Sequence, residues 1–169
     1  MIYKTGEYLI YGTAGICRYD GTESKEFNGQ IKNYCKLIPK DCMNSVYYVP
    51  SDIIEDKTRR IHTKSEVYNI IDSIPDIKPL WNTNRNERKE LFDTAIKSDN
   101  YTGLIGVIKS LHEHKKECKL SGKKLTMADE KAFRTAEDML HQEFSVALGI
   151  EKDEVDDFIA KRIENRKDA

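Results

Sequence analysis

Apolar positions along the chain follow two rhythms, and the change falls near residue 63. Before it, short apolar runs are separated by glycine and proline. Tyr8-Leu9-Ile10-Tyr11 lies between Gly6 and Gly12, and Ile16-Cys17-Arg18-Tyr19 lies between Gly15 and the turn signal Gly21. Asn28-Gly29 is a strong hairpin dipeptide. Residues 31–37 come next, with Tyr34 and Leu37 expected in the core, then a loop with Pro39 and Asp41, then Val46-Tyr47-Tyr48-Val49-Pro50. A last short strand is expected around Arg59-Arg60-Ile61. Turns at intervals of about ten residues predict a small, strongly bent antiparallel β-barrel. About sixty residues is near the lower limit for independent folding, so packing against the C-terminal half would help.

After residue 63 the spacing becomes helical. Thr63-Lys64-Ser65-Glu66 fits a capping box, and Val67, Ile70, Ile71 and Ile74 fall on one face before Pro75 and Pro79 stop the helix. Residues 75–81 read as a hinge. Four further helices are predicted, over roughly 83–97, 101–119, 127–148 and 154–165. Asp99 or Asn100 caps the second of these, Thr126 with Asp129 the third, and Asp153 the fourth, while Gly149 stops the third. Stripes at Leu104, Ile105, Val107, Ile108 and Leu111, and at Phe133, Ala136, Met139, Leu140, Phe144 and Ala147, predict a compact helical bundle. The expected class is therefore α+β, with domains at 1–62 and 63–169.

Composition narrows the function. The chain has 169 residues, 34% charged and 38% hydrophobic, with a net charge of −1. Such a length holds one ordinary domain or two small ones. No apolar run approaches the roughly 18 residues of a membrane helix. The start, Met1-Ile2-Tyr3-Lys4-Thr5-Gly6-Glu7, lacks the marks of a signal peptide, so a cytoplasmic location without membrane insertion is expected. Cys17, Cys35, Cys42 and Cys118 contain no pair with a two-residue gap, and no disulfide framework is expected. Balanced charge argues against a globally basic nucleic-acid coat but leaves room for local patches.

Catalytic signatures are missing. The sequence holds no phosphate loop, no Gly-x-Ser-x-Gly elbow and no His-Glu-x-x-His motif. His112 and His114 are two apart and would point to different faces of a helix, and His62 and His141 lack ligand-spaced neighbours. Asp153, Glu154, Asp156 and Asp157 suit a helix N-terminus, where the dipole favours negative charge. No enzyme, metal or cofactor is expected.

Two features ask for more. Trp81, the sole tryptophan, follows Lys78-Pro79-Leu80 and precedes Asn82-Thr83-Asn84-Arg85-Asn86-Glu87-Arg88-Lys89. A tryptophan can simply be core. Exposed beside Arg85, Arg88 and Lys89, it could instead wedge against bases while the cations hold phosphates. Between Lys109 and Arg134, eight basic residues (Lys109, Lys115, Lys116, Lys119, Lys123, Lys124, Lys131 and Arg134) outnumber four acidic ones. Such a run can be a solvated face, and next to the tryptophan it becomes a candidate DNA surface.

The whole chain resembles the CarD/CdnL family of bacterial transcription regulators, and its N-terminal part is similar to the RNA-polymerase-interaction domain of the transcription-repair coupling factor. The resemblance is carried by residues 1–11, Gly15-Ile16, Gly29, Tyr34 and Tyr48-Val49-Pro50. It continues through the capped helix after Arg59-Arg60-Ile61, the tryptophan segment, Gly122-Lys123-Lys124-Leu125-Thr126, Asp129-Glu130-Lys131 and Leu148-Gly149-Ile150. It covers nearly all of 1–165.

The resemblance implies a Tudor-like N-terminal domain docking on the RNA polymerase β subunit through Lys25, Tyr48, Val49 and Pro50. It also implies a helical domain on promoter DNA at the upstream edge of the melted region. There Trp81 would enter the minor groove, Arg85, Arg88, Lys89, Lys123, Lys124, Lys131 and Arg134 would hold the backbone, and the open complex would live longer, without enzymatic chemistry. A monomer, nucleoid-associated through the polymerase, is expected. The sequence departs from the family at Gly12-Thr13-Ala14, where Pro and His are frequent. Lys25 stands where some members have arginine, Tyr48 stands where some have a basic residue, and the segment after Trp81 is about one helical turn longer than in some relatives. Two other readings are a Tudor-like adaptor with Trp81 buried and no DNA role, and a thiol or metal enzyme.

Overall fold

The computed structural model describes residues 3–168. Met1 and Ile2, which open the matching start, lie outside the described residues. Between His62 and Thr63 the chain divides into two compact units.

The first unit is an antiparallel sheet of β1 (Tyr8–Tyr11), β2 (Ile16–Phe27), β3 (Gln30–Pro39), β4 (Tyr47–Pro50) and β5 (Thr58–Arg60), in the order β4-β3-β2-β1-β5. The barrel is not closed: the sheet ends at β4 on one side and β5 on the other. Four-residue and three-residue edge strands supply too short a ladder to seal the gap. Gly21 is no turn. It has φ +89° and sits in the irregularity between Tyr19 and Thr22, where β2 slips its register against β3. An extra residue in this left-handed conformation bends a strand without ending it, so the two segments on either side form one long strand. The Asn28-Gly29 turn joins Phe27 to Gln30, and both turn residues have positive φ, as a two-residue hairpin requires.

Leu9, Cys17, Tyr19, Cys35, Leu37, Val49 and Ile54 make the sheet core. Leu37 is there as expected, whereas Tyr34 is half-buried. Its neighbour Cys35 takes the core position, because successive residues of a strand face opposite sides. A single helical turn, α1 (Ile54–Lys57), delivers Ile54 to this core and leads into β5, with the Thr58 hydroxyl donating to the Ile54 carbonyl at 2.6 Å.

The second unit holds α2 (Lys64–Ser73), α3 (Arg85–Lys97), α4 (Tyr101–Leu120), α5 (Met127–Leu148) and α6 (Val155–Lys167). The capping box at Thr63 and Glu66 is made in full. Asn84 caps α3 through the amides of Asn86 and Glu87, Asn100 caps α4, and Thr126 caps α5 through the Asp129 amide. Asp153 is not a cap. It lies in a 3-10 turn, Lys152–Glu154, and Glu154 reaches back to the Glu151 amide at 2.8 Å. Gly149 ends α5 with φ +70°.

The core of this unit includes Val67 and Ile71 of α2, Phe92 of α3, Val107 and Leu111 of α4, Ala136 and Phe144 of α5, and Val155 of α6. The stretch 77–80 is not a free hinge. The Leu80 amide donates to the Gly106 carbonyl at 3.0 Å, and a Cβ on Gly106 would meet Leu80 Cγ at 3.0 Å and the Lys78 carbonyl oxygen at 3.1 Å. Glycine inside α4 lets the proline-bearing segment lie directly on the helix. Lys109 ties the same region down by donating to the carbonyls of Ile74 and Ile77. It is a cap for that turn and not part of a free basic surface.

Candidate functional site

In the helical unit the features of interest gather around Trp81. Its backbone is fixed just upstream by Leu80 on Gly106, and the ring remains 37% exposed. It is neither core nor free. The His114 ring lies 4.4 Å away, the Phe92 ring 6.4 Å away, and the Arg88 guanidinium carbon 4.6 Å over the indole.

Arg88 departs from the sequence reading. The side chain is buried and every arm is engaged: Nε and Nη2 donate to the two Asp129 oxygens at 3.0 and 2.8 Å, and Nη1 donates to the carbonyls of Asn82 and Thr83. Four of the guanidinium's five N–H donors are so committed and the side chain is buried, so Arg88 is left out of the candidate DNA contacts. Its place on the inner face of α3, four residues before the core residue Phe92, turned it inward. Burial alone would raise the Asp129 carboxyl. Hydrogen bonds from Arg88 and Thr126, with the charges of Arg88 and His114, outweigh it and hold the group below the usual carboxylate range.

The other cations stay outside. Arg85 and Lys89 are exposed on α3, Lys123 and Lys124 in the loop before α5, and Lys131 and Arg134 on α5. An open cleft of about 660 Å³ runs beside Trp81, with Arg85, His114, Lys123 and Lys124 in its walls. A second hollow, of about 920 Å³, is lined by Lys119, Lys123, Lys124, Lys131 and Arg134. Lys123 and Lys124 border both, so one basic ridge separates the ring's cleft from the basic hollow. Lys89 lines neither, and Arg134 pairs with Glu130 at 3.3 Å.

His114 is a site residue that the sequence does not reveal, because its two-residue spacing from His112 speaks only to metal binding. Among the described residues no group of histidine, cysteine, aspartate and glutamate is placed to hold a metal ion. Cys118 Sγ lies 3.6 Å from His114 Nε2 and is buried. Cys17 is buried in the sheet, and its thiol is pushed up to about 11, which makes it a poor nucleophile.

In the sheet unit, β4 is an edge strand whose outer side has no partner strand among the described residues. Lys25 faces Lys32 across β2 and β3, and its ammonium rests 3.3 Å from the centre of the Tyr48 ring. The two residues that the family resemblance assigns to one docking face are thus in contact, the cation held by the tyrosine's π face. Tyr48 is exposed and Pro50 half-buried, while Val49 is 2% exposed and pairs with Cys35 on the core face. The Val49 side chain therefore packs the sheet, and only its backbone lies at the edge.

No helix among the described residues is long and apolar enough to cross a membrane. Compared with known proteins, residues 3–62 match the family model described as the CarD-like/TRCF RID domain, and residues 66–160 match that of the CarD C-terminal domain. No curated protein matches the chain. An open sheet followed by a capped helical unit, with these two matches end to end, makes the chain a member of the CarD family, a transcription-related protein that interacts with RNA polymerase.

Proposed function

We propose that this protein docks on the polymerase β subunit through the β4 edge and stabilises the open promoter complex through its helical unit. A free strand edge offers unpaired backbone groups for pairing with a partner, and Lys25, Tyr48 and Pro50 supply side-chain selectivity beside it. Trp81 would wedge at a distorted step in the minor groove at the upstream edge of the melted region. Arg85, Lys89, Lys123, Lys124, Lys131 and Arg134 would then hold the backbone. The protein acts as a monomer in the cytoplasm, on the nucleoid through the polymerase.

One observation carries this reading: a partly exposed tryptophan is fixed from behind by aromatic and cationic neighbours, and exposed cations border its open side. The adaptor reading expects a buried ring, whereas Trp81 is 37% exposed. The basic excess is small, so affinity for isolated duplex is weak and salt-dependent, and docking supplies the effective concentration. A factor that prefers opened DNA shifts the equilibrium by its difference in affinity. Stacking on a base contributes about 1–3 kcal/mol, enough to lengthen the open state several-fold or more.

The test is decay of open promoter complexes against competitor DNA, with wild-type protein and Trp81→Ala. The variant should still co-purify with polymerase and lose most of the lifetime gain. Full retention of that gain would return the protein to the adaptor class.

A further inference from the structure

Resting on that reading, we propose that the buried Arg88–Asp129 pair is a positioning device for Trp81, setting the ring's angle and limiting its motion before DNA arrives. Arg88 touches the ring, the chain just after the ring and the start of α5 together. Its guanidinium carbon sits 4.6 Å over the indole, and Nη1 donates to the Asn82 carbonyl at 3.0 Å and to that of Thr83 at 3.5 Å. Nε and Nη2 grip Asp129, whose own amide is held by Thr126 at the first turn of α5.

The ring is thereby bracketed. Upstream, the Leu80 amide is bonded to α4 at Gly106; downstream, the carbonyls of residues 82 and 83 are bonded to α3 through Arg88. Asn82 adds local order by accepting from the Asn84 amide and donating to Glu87. The clamp also links the ring to the segment carrying Lys123 and Lys124, which ends at the Thr126 cap. A side chain ordered in advance does not lose that freedom on binding, so the contact keeps more of its gross energy. Lysine at position 88 would keep the charge but not the fork: one ammonium cannot hold both Asp129 oxygens, reach two carbonyls and present a flat face to indole.

Trp81 is the sole tryptophan and reports on itself. The experiment compares iodide quenching and time-resolved anisotropy of wild type, Arg88→Lys, Asp129→Asn and Arg162→Lys. Arg162 makes an equally bidentate pair with Asp72 and stacks 4.1 Å over Tyr68, so its variant controls for general loosening of the unit. Arg88→Lys should raise the quenching constant about twofold or more and add a fast depolarising component on the nanosecond scale, with Arg162→Lys unchanged. Asp129→Asn should act in the same direction, and it decides the matter if Arg88→Lys does not fold. Wild-type quenching and anisotropy in the folded Arg88 or Asp129 variant would overturn the proposal, as would an equal change in Arg162→Lys. A ring freed in Arg88→Lys, together with an undiminished lifetime gain in Trp81→Ala, would keep the positioning role and discard the wedge.

Discussion

Arg162 donates two hydrogen bonds of 2.8 Å to the two carboxylate oxygens of Asp72, so the last helix is fastened to the first helix of its unit across ninety positions of sequence. Arg166 reinforces the contact by donating to the Asp72 carbonyl at 3.0 Å, and Tyr68 stacks with Phe158 alongside it. Hydrogen bonding from Arg162 holds the Asp72 carboxyl below the usual range, against the opposing effect of burial.

Replacing Arg162 with alanine should therefore lower the stability of the helical unit by about 1 kcal/mol, since the pair is partly exposed and solvent screens it. Part of that loss is the packing on Tyr68. Chemical denaturation followed by helical circular dichroism measures it, and an unchanged midpoint would mean that the apolar face of α6 and Arg166 hold the helix without Arg162.

Acid should weaken this unit in a defined window. Asp72 and Asp129 both have folded-state values below their ordinary ones, so their stabilisation is present above the unfolded carboxylate value of about 3.9 and disappears as pH falls through the folded values. Between pH 7 and pH 5 the thermal midpoint should barely respond to these groups. Below about pH 4 it should fall, and less steeply in Asp129→Asn, which has one such carboxylate fewer. That variant should itself be less stable at neutral pH, by about 3–5 kcal/mol at most, because it leaves buried Arg88 without its counter-charge.

Gly106→Ala tests the seat of the tryptophan segment. The new methyl would lie 3.0 Å from Leu80 Cγ and 3.1 Å from the Lys78 carbonyl oxygen, and the second of these is backbone that cannot rotate away. A loss of about 1–3 kcal/mol is expected, as for other overpacked sites, together with a changed Trp81 emission. Unaltered emission would mean that the segment takes its position from Arg88 alone.

Val49→Asp and Tyr48→Ala should separate folding from docking in the sheet. Aspartate at a fully packed strand position should unfold the sheet unit, whereas Tyr48→Ala and Lys25→Glu alter exposed or half-buried side chains and should leave it intact. Co-purification with polymerase should fall in all three, but amide exchange in β2 and β3 should collapse only in Val49→Asp. Full polymerase binding by both surface variants would place the docking face elsewhere.

Much of this protein is local in origin and could be read from its sequence. The switch from turn-separated apolar runs to helical stripes, the Thr63–Glu66 box, the Asn28-Gly29 hairpin and the Gly149 stop all depend on residues within a few positions of one another. The α+β class and the family follow from their order. Tertiary structure alone decided which side of each element meets a partner. Gly21 became a bulge because β3 continues past it, and the barrel stayed open because its edge strands are short. Arg88 looked like one more cation beside Trp81 until Asp129, forty-one positions away, claimed it. Its charge was legible and its counter-charge was not, because a buried ion pair is chosen by packing between helices that sequence spacing does not connect.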